Sequence, residues 1–558
     1  MARPLATDMI TQYDQAKSLR SQHENDWRMA SAYCLPSHYS SWQTEGPATF
    51  QQQNAAARRV QFDTTGTRSL PKYVSILERI ATPVGQKWHG LQASDERLRQ
   101  NRRVKLYFDA LSDLLFRKRY DPKAWFRTAS NEMYTSMGAY GNGPIYIGQR
   151  KKTPLSNVPG FRYVACPLRD VFFLVDDEGE VVTVFRRFWL NVRQFKAKFP
   201  DAPYPTQMQS EAKKAAPSET SFFEFVHVVH IRDDHDPTAL DARRHPICGS
   251  YICVKSREYV GNETGFQSMP YRIPRTSSVA GDPYGYSPAV AVLSALGGAS
   301  QIKKVYLKQG QKAVDPVLLA FDDGVVNGDV DMRPGAINYG GVDKQGRPLI
   351  QPLRTGDFRV AETLLQDERG DIEDSFFVTL FQILNDTPEM TATEVMERVA
   401  EKASLLSPTM GRLQSEFLGP CIEREIDLLN EMGMLPEMPP ELVEARGEYE
   451  VMYTSPLAKG QYAEEVSGFM RTVEMALNVA QATQDMSKLD HFNFDVAIPE
   501  IADNMSVPTR WMNTVDAIKE TREGRAEQTQ QSELLQAAPA LASAAKTASD
   551  MGKAQPNG

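Results

Sequence analysis

The stretch 357–435 constrains the fold of this chain most strongly. Two long amphipathic helical segments are broken there once, at Asn385-Asp386-Thr387-Pro388-Glu389-Met390. In the first, Phe358, Ala361, Leu365, Ile372, Phe376, Leu380 and Ile383 recur at helical spacing. The second opens at Thr391-Ala392-Thr393-Glu394-Val395 and carries Val395, Val399, Ala403 and Leu406 along one side. Prolines at Ser407-Pro408 and Gly419-Pro420 predict kinks. Gly433-Met434-Leu435-Pro436 predicts a glycine-then-proline stop. A bent helix pair of this length exceeds the needs of one compact enzyme domain. It points to a mechanical or assembly part.

The rest of the chain has room for several domains in its 558 residues. A composition of 41% hydrophobic and 24% charged residues excludes wholesale disorder. No apolar run reaches the roughly 18–20 residues of a membrane span. Met1-Ala2-Arg3-Pro4 lacks the apolar core of a signal peptide, so the expectation is a product assembled in the cytoplasm. The five cysteines Cys34, Cys166, Cys248, Cys253 and Cys421 are scattered and odd in number, which argues for reduced thiols. A formal net charge of −8 is unsuited to static DNA binding, which draws on phosphate neutralisation. It does suit a conduit, which must not stick to DNA.

Helices dominate the first third. They are expected over 5–34, over 66–81 before Thr82-Pro83, from the Ser94-Asp95-Glu96 cap through Val104, Phe108, Leu111 and Leu115, and from Pro122 through Trp125, Phe126 and Met137. Around Gly138 the pattern changes to strands: 145–147, 161–166, 171–175 and 181–188 with a hairpin at 176–179, then 221–232, 249–255 and 269–273, with a short helix after Asn191. This is α+β, helices first and a largely antiparallel sheet after them. Helix returns at Ser287-Pro288 and continues to about Val314. A Gly/Pro/Asp-rich insert fills 315–356, with short strands at 317–321, 336–339 and 349–351. Beyond 435 lie a strand at 449–453, helices near 460–484, 494–504 and 508–530, and a flexible Ala/Gln/Ser-rich tail from 531.

Catalytic signatures are missing. Gly138-Ala139-Tyr140-Gly141-Asn142-Gly143 sits between helix and strand without a following lysine, so it reads as a tight turn, not a phosphate cradle. His227, His230 and His235 with Asp233, Asp234 and Asp236 are the only metal-like cluster, but residues 227 and 230 of a strand point to opposite faces. No cofactor, metal or catalytic residue is assigned. Lys304, Lys308 and Lys312, next to Lys303, recur every four residues and line one helix face. That face is either solvated or turned toward phosphate.

Several strings together resemble the head-to-tail connector, or portal, proteins of short-tailed bacteriophages. They are Phe62-Asp63-Thr64-Thr65-Gly66 with Thr82-Pro83 and Trp88, the 138–143 turn, Gly285-Tyr286-Ser287-Pro288, Met390-Thr391-Ala392-Thr393-Glu394-Val395, Leu413-Gln414-Ser415-Glu416 and Gly433-Met434-Leu435-Pro436. They stand in the family's order from about residue 5 to 530. The resemblance implies the portal fold, mainly helical and assembled as a ring of about twelve identical subunits. It assigns 1–286 to the wing, 287–314 and 357–384 to stem helices, 315–356 to the clip, 385–390 to a channel-facing tunnel loop, 391–455 to a kinked helix and returning wing strand, 456–530 to the crown and 531–558 to the tail.

The implied role is a non-enzymatic conduit for DNA packaging and ejection at one capsid vertex of the virion, without membrane contact. The implied partners are double-stranded DNA in the channel, the terminase large subunit, major capsid and scaffold proteins, and tail adaptor proteins. Candidate channel residues are Asn385, Asp386, Thr387, Pro388, Glu389 and Met390, with Lys304, Lys308 and Lys312 facing either DNA or an outer or inter-subunit surface. Asp322, Asp323, Gly324, Gly340 and Gly341 are candidates for clip docking. The alternatives are a phage internal core or scaffold protein and a phage-encoded nuclease or ATPase.

Overall fold

The computed structural model describes residues 4–42, 46–47, 60–99, 101–150, 158–214, 218–315, 318–320, 337, 341–343, 345–352, 358–379, 405–444, 448–453, 456–483, 486–504, 511–513, 517–525 and 528. They fall into two units. The first draws on 1–88, 114–435 and 455–460, and the second on 89–113, 436–454 and 461–558.

In the first unit, α1 (Ala6–Cys34) lies on a five-stranded antiparallel sheet. The sheet comprises β4 (Val171–Val175), β5 (Val181–Leu190), β6 (Phe223–Ile231), β7 (Ile247–Cys253) and β8 (Glu258–Phe266), side by side in chain order. Strand alternation sorts the side chains. Val226, Val228 and Ile252 meet Met9, Ile10 and Tyr13 of α1, with Phe172 and Phe185 completing the cluster. The neighbouring Phe225 and Cys253 point the other way, onto Val192, Phe195 and Met208 from α6 (Val192–Lys198) and α7 (Thr206–Ala212). Each such buried side chain contributes about 1.5–3 kcal/mol of transfer free energy. Asn191 and Gln194 close a reciprocal capping box that starts α6.

Strand β8 was not expected from the sequence. Its Glu-Tyr-Val-Gly-Asn-Glu-Thr-Gly-Phe string lacks apolar alternation, because it is an edge strand supported by β7 on one side. A second sheet holds β2 (Ile145–Gln149) between β3 (Phe161–Ala165) and β9 (Tyr271–Arg272).

Two further departures concern helix starts. The helix expected from Ser94 is two pieces, α3 (Glu96–Arg99) and α4 (Arg102–Arg119). Asp95 Oδ1 accepts from the Arg97 amide at 2.8 Å and Asn101 Oδ1 from the Arg103 amide at 2.9 Å, so a second cap interrupts the run. The helix expected from Pro122 is α5 (Phe126–Tyr140). The Ala124 carbonyl accepts from the Tyr163 amide of β3 at 3.0 Å, and Trp125 takes a left-handed φ of 64°, so helical bonding cannot begin earlier.

The α2 helix (Thr65–Ala81) ends at Thr82 as expected. After a turn at α8 (Pro288–Ala291), α9 (Leu293–Val314) leads into β10 (Leu318–Ala320). Strand β10 pairs antiparallel with β11 (Ile350–Pro352), which leads into α10 (Phe358–Ser375), so α9 and α10 form one hairpin. Helix α10 ends at Ser375 in a turn at 376–377, where Phe377 has φ 56°, and 378–379 are helical again before the described residues end. Phe376 and Phe377 both lie against Tyr73, at ring centroid distances of 6.0 and 6.4 Å. Successive residues of a helix point about 100° apart, so placing both on one ring requires the break.

The chain is described again from 405. Helix α11 (Ser407–Leu413), a π-turn (Gln414–Leu418) and α12 (Gly419–Glu431) follow without interruption. Pro420 has no amide hydrogen, and the wider π-turn before it absorbs the lost bond where a kink was expected. The predicted stop is present: Gly433 has φ 65° and the Met434 amide returns to the Leu429 carbonyl at 2.9 Å.

The second unit contains β1 (His89–Ala93) paired antiparallel with β12 (Tyr449–Tyr453). Arg99 ties this ribbon together, donating to the Ala93 carbonyl at 2.8 Å and Glu450 at 2.6 Å. The unit also contains α13 (Pro440–Glu444), most of α14 (Pro456–Thr483) and α15 (Phe494–Asn504). Phe469, Phe492 and Phe494 cluster there through edge and tilted contacts. No helix among the described residues is long and apolar enough to cross a membrane.

Candidate functional site

Of the strings singled out in the sequence, those at 62–66, at 138–143 with 285–288, and at 413–416 are joints of the first unit. Phe62–Gly66 fastens the start of α2 to the hairpin. Ser300 of α9 donates to the Val60 carbonyl at 2.9 Å and accepts from the Phe62 amide at 2.8 Å. Asp63 accepts from the Thr65 amide at 2.9 Å and from Arg369 of α10 at 2.6 Å. Burial works against the ionised Asp63, but hydrogen bonds from Thr65 and Arg369 outweigh it and hold the carboxyl below its ordinary range. Gly66 is closely packed: a Cβ would stand 2.7 Å from Leu296 Cδ2 and 3.0 Å from Cys34 Sγ, so those side chains would have to shift to admit one.

The second joint docks 138–143 onto 285–288. Gly141, at φ 82°, ends α5, and a Cβ on it would meet the Gly285 carbonyl oxygen at 2.2 Å. Asn142 is fully buried between them, accepting from the Gly285 amide at 2.9 Å and donating to the Gly285 carbonyl at 3.2 Å. Ser287 caps α8 and donates to the Ala139 carbonyl at 3.0 Å. This turn therefore aims the first helix of the hairpin. The third joint is Glu416, within the π-turn, which accepts from the Arg275 amide at 2.7 Å and from its guanidinium at 2.7 Å.

Beneath these joints, Arg119 of α4 and Glu425 of α12 form a fully buried bidentate ion pair, at 2.8 and 2.6 Å. Tyr163 donates to the same carboxylate at 2.6 Å, and Trp88 lies under the guanidinium at 4.4 Å. Burial opposes the charge on Arg119, but Glu425 more than offsets it and raises the guanidinium pKa. The sequence reading missed this pair, although a signal existed: Arg119 extends the stripe of Phe108, Leu111 and Leu115, and Glu425 follows Cys421 by one helical turn.

Of the lysine stripe, Lys308 and Lys312 are exposed and Lys304 is half-buried, its ammonium 5.3 Å from the Phe62 ring. Gly341 closes a small turn, its carbonyl accepting from the Leu349 amide at 2.9 Å. The candidates Asp322, Asp323, Gly324, Gly340 and Asn385 to Met390, together with 391–404, lie outside the described residues. Among the described residues no cluster of His, Cys, Asp or Glu has metal-binding geometry. His227 is buried, stacks on Tyr251 at 4.3 Å and bonds Tyr271 at 2.7 Å; His230, on the opposite face, is more exposed. Burial, helped by Lys198 and Arg186, holds the His227 pKa well below the usual imidazole range.

The described residues of the first unit thus form a hairpin of helices braced by buried joints. The chain belongs to the family of bacteriophage head to tail connecting proteins, whose model matches residues 6–512. It is 26% identical over 544 residues to the probable portal protein of Bordetella phage BPP-1, covering 94% of this chain and 93% of that one. It is also 23% identical over 563 residues to the portal protein of Salmonella phage epsilon15, covering 100% and 98%.

Proposed function

We propose that this chain is the portal of a bacteriophage head: a closed ring of about twelve copies at one capsid vertex, through which double-stranded DNA enters and leaves. The carrying observation is the family match over nearly the whole chain, 6–512. The role is structural rather than enzymatic. In this reading 1–286 and 391–455 form the wing, 287–314 and 357–384 the stem, 315–356 the clip, 385–390 the tunnel loop and 456–530 the crown, with 531–558 as tail. The clip, including Gly341, offers the docking surface for the terminase large subunit and tail adaptors, while the wing meets capsid and scaffold proteins. Joints at Asp63, Ser300 and Asn142 support this role because a stem that carries load must be fixed to its wing.

Counting copies in particles tests the proposal. One ring's complement per mature particle is expected, retained after packaging. Many copies per particle, or loss on maturation, would instead indicate an internal core or scaffold protein.

A further inference from the structure

The two helices of the hairpin carry opposite charge. Helix α9 has four lysines and no carboxylate. Helix α10 has six carboxylates and two arginines, a net charge of −4. This charge is not cancelled within the hairpin: Arg369 is committed to Asp63, and no ion pair joins the α9 lysines to α10 among the described residues. Along the second half of α9 the more covered row is Ile302, Tyr306 and Gln309, and Lys308 and Lys312 are exposed away from it, while Lys304, one turn after the buried Ser300, is half-buried beside the Phe62 ring. On α10, Ala361, Leu365, Glu368 and Ile372 form the covered row, whereas Val360, Leu364, Asp367, Asp371 and Asp374 make an exposed stripe at alternating spacings of four and three.

Both charged stripes are bordered by apolar side chains left in solvent. Val305 and Leu307 are 57% and 47% exposed on α9, and Val360 and Leu364 are 60% and 51% exposed on α10. A phosphate-facing surface has no use for such residues, whereas a protein contact does. The contact in a rotational ring is heterologous, joining two different patches of the same subunit. One basic and one acidic stripe on the same hairpin meet that requirement.

We propose that the lysine stripe of α9 (Lys304, Lys308, Lys312) docks on the acidic stripe of α10 (Asp367, Asp371, Asp374) of a neighbouring copy. This rests on the ring reading above and gives the stripe a subunit partner in place of DNA. Opposed charge also fixes register and rejects like-with-like pairing.

Charge reversal in the full chain tests it, read by sedimentation across protein concentration and salt. The unsubstituted chain should form rings that weaken as salt rises. The K304E/K308E/K312E variant should need on the order of tenfold or more protein to half-assemble. D367K/D371K/D374K should behave alike. Mixing the two variants, or combining all six substitutions in one chain, should restore assembly, which separates charge pairing from misfolding. The inference is overturned if the lysine variant assembles like the native chain and changes only DNA passage, which would assign the stripe to DNA. It is also overturned if the six-fold variant, with native circular dichroism, fails to regain rings. Failure of the unsubstituted chain to form rings would instead defeat the ring reading itself.

Discussion

Replacing Arg119 by Met should damage this protein more than most single substitutions. Arg119 and Glu425 are both fully inaccessible to solvent. The change deletes two charge-assisted hydrogen bonds, at 2.8 and 2.6 Å, while keeping an apolar stem against Trp88. Glu425 is left with Tyr163 and the Cys421 thiol as its remaining donors. Breaking a buried pair on one side costs about 3–5 kcal/mol, because a charge stays buried without its counterion. With a urea dependence of about 3 kcal/mol per M, the midpoint of the first unit's transition should fall by about 1–1.7 M. Tryptophan fluorescence during urea titration, with hydrogen exchange across β3, measures the shift. Replacing both residues, R119M with E425M, should recover most of it, since a well-packed apolar pair needs no counterion. A single-variant shift below about 0.3 M, or a double variant no better than the single, would refute the reasoning.

Other expectations follow from the same geometry. Because His227 stays neutral when folded while the unfolded chain takes up a proton below about pH 6.5, its contribution to stability is lost as pH falls through that value. His227→Gln should remove up to about 1.4 kcal/mol per pH unit of acid sensitivity, seen by comparing urea midpoints from pH 7 to 5. Gly141→Ala should cost more than about 1 kcal/mol, measured as a lowered Tm, because both its φ of 82° and the Gly285 carbonyl oppose a Cβ. Deleting 385–390 should leave ring assembly intact and impair DNA packaging or retention, scored by particle assembly and encapsidated DNA. Loss of rings on that deletion would make the segment structural.

Local signals were legible where a residue's own neighbours decide its conformation. The Ser287 cap, the Gly433 stop, the Asn191 helix start and the 176–179 hairpin all depend on residues within a few positions. The continuous helix expected from Ser94 and the early start at Pro122 failed for other reasons. Asn101 offers a second local cap, and Ala124 is held by a strand residue nearly forty positions away. The joint strings were visible as strings, but their use was not. Asp63 finds Arg369 and Asn142 finds Gly285 only after the chain has folded. Arg119 and Glu425 were hidden because charged helix residues ordinarily read as solvated, although both continue apolar faces. The lysine stripe was legible as a face. Its opposite, on α10, gained meaning only when the two helices proved to be one hairpin.

The central claim, that the chain closes into a portal ring, is tested most directly by electron microscopy of the purified full-length protein. Particle images should show closed rings with a central hole, with about twelve subunits in projection. A monodisperse monomer across protein concentration and salt would contradict it.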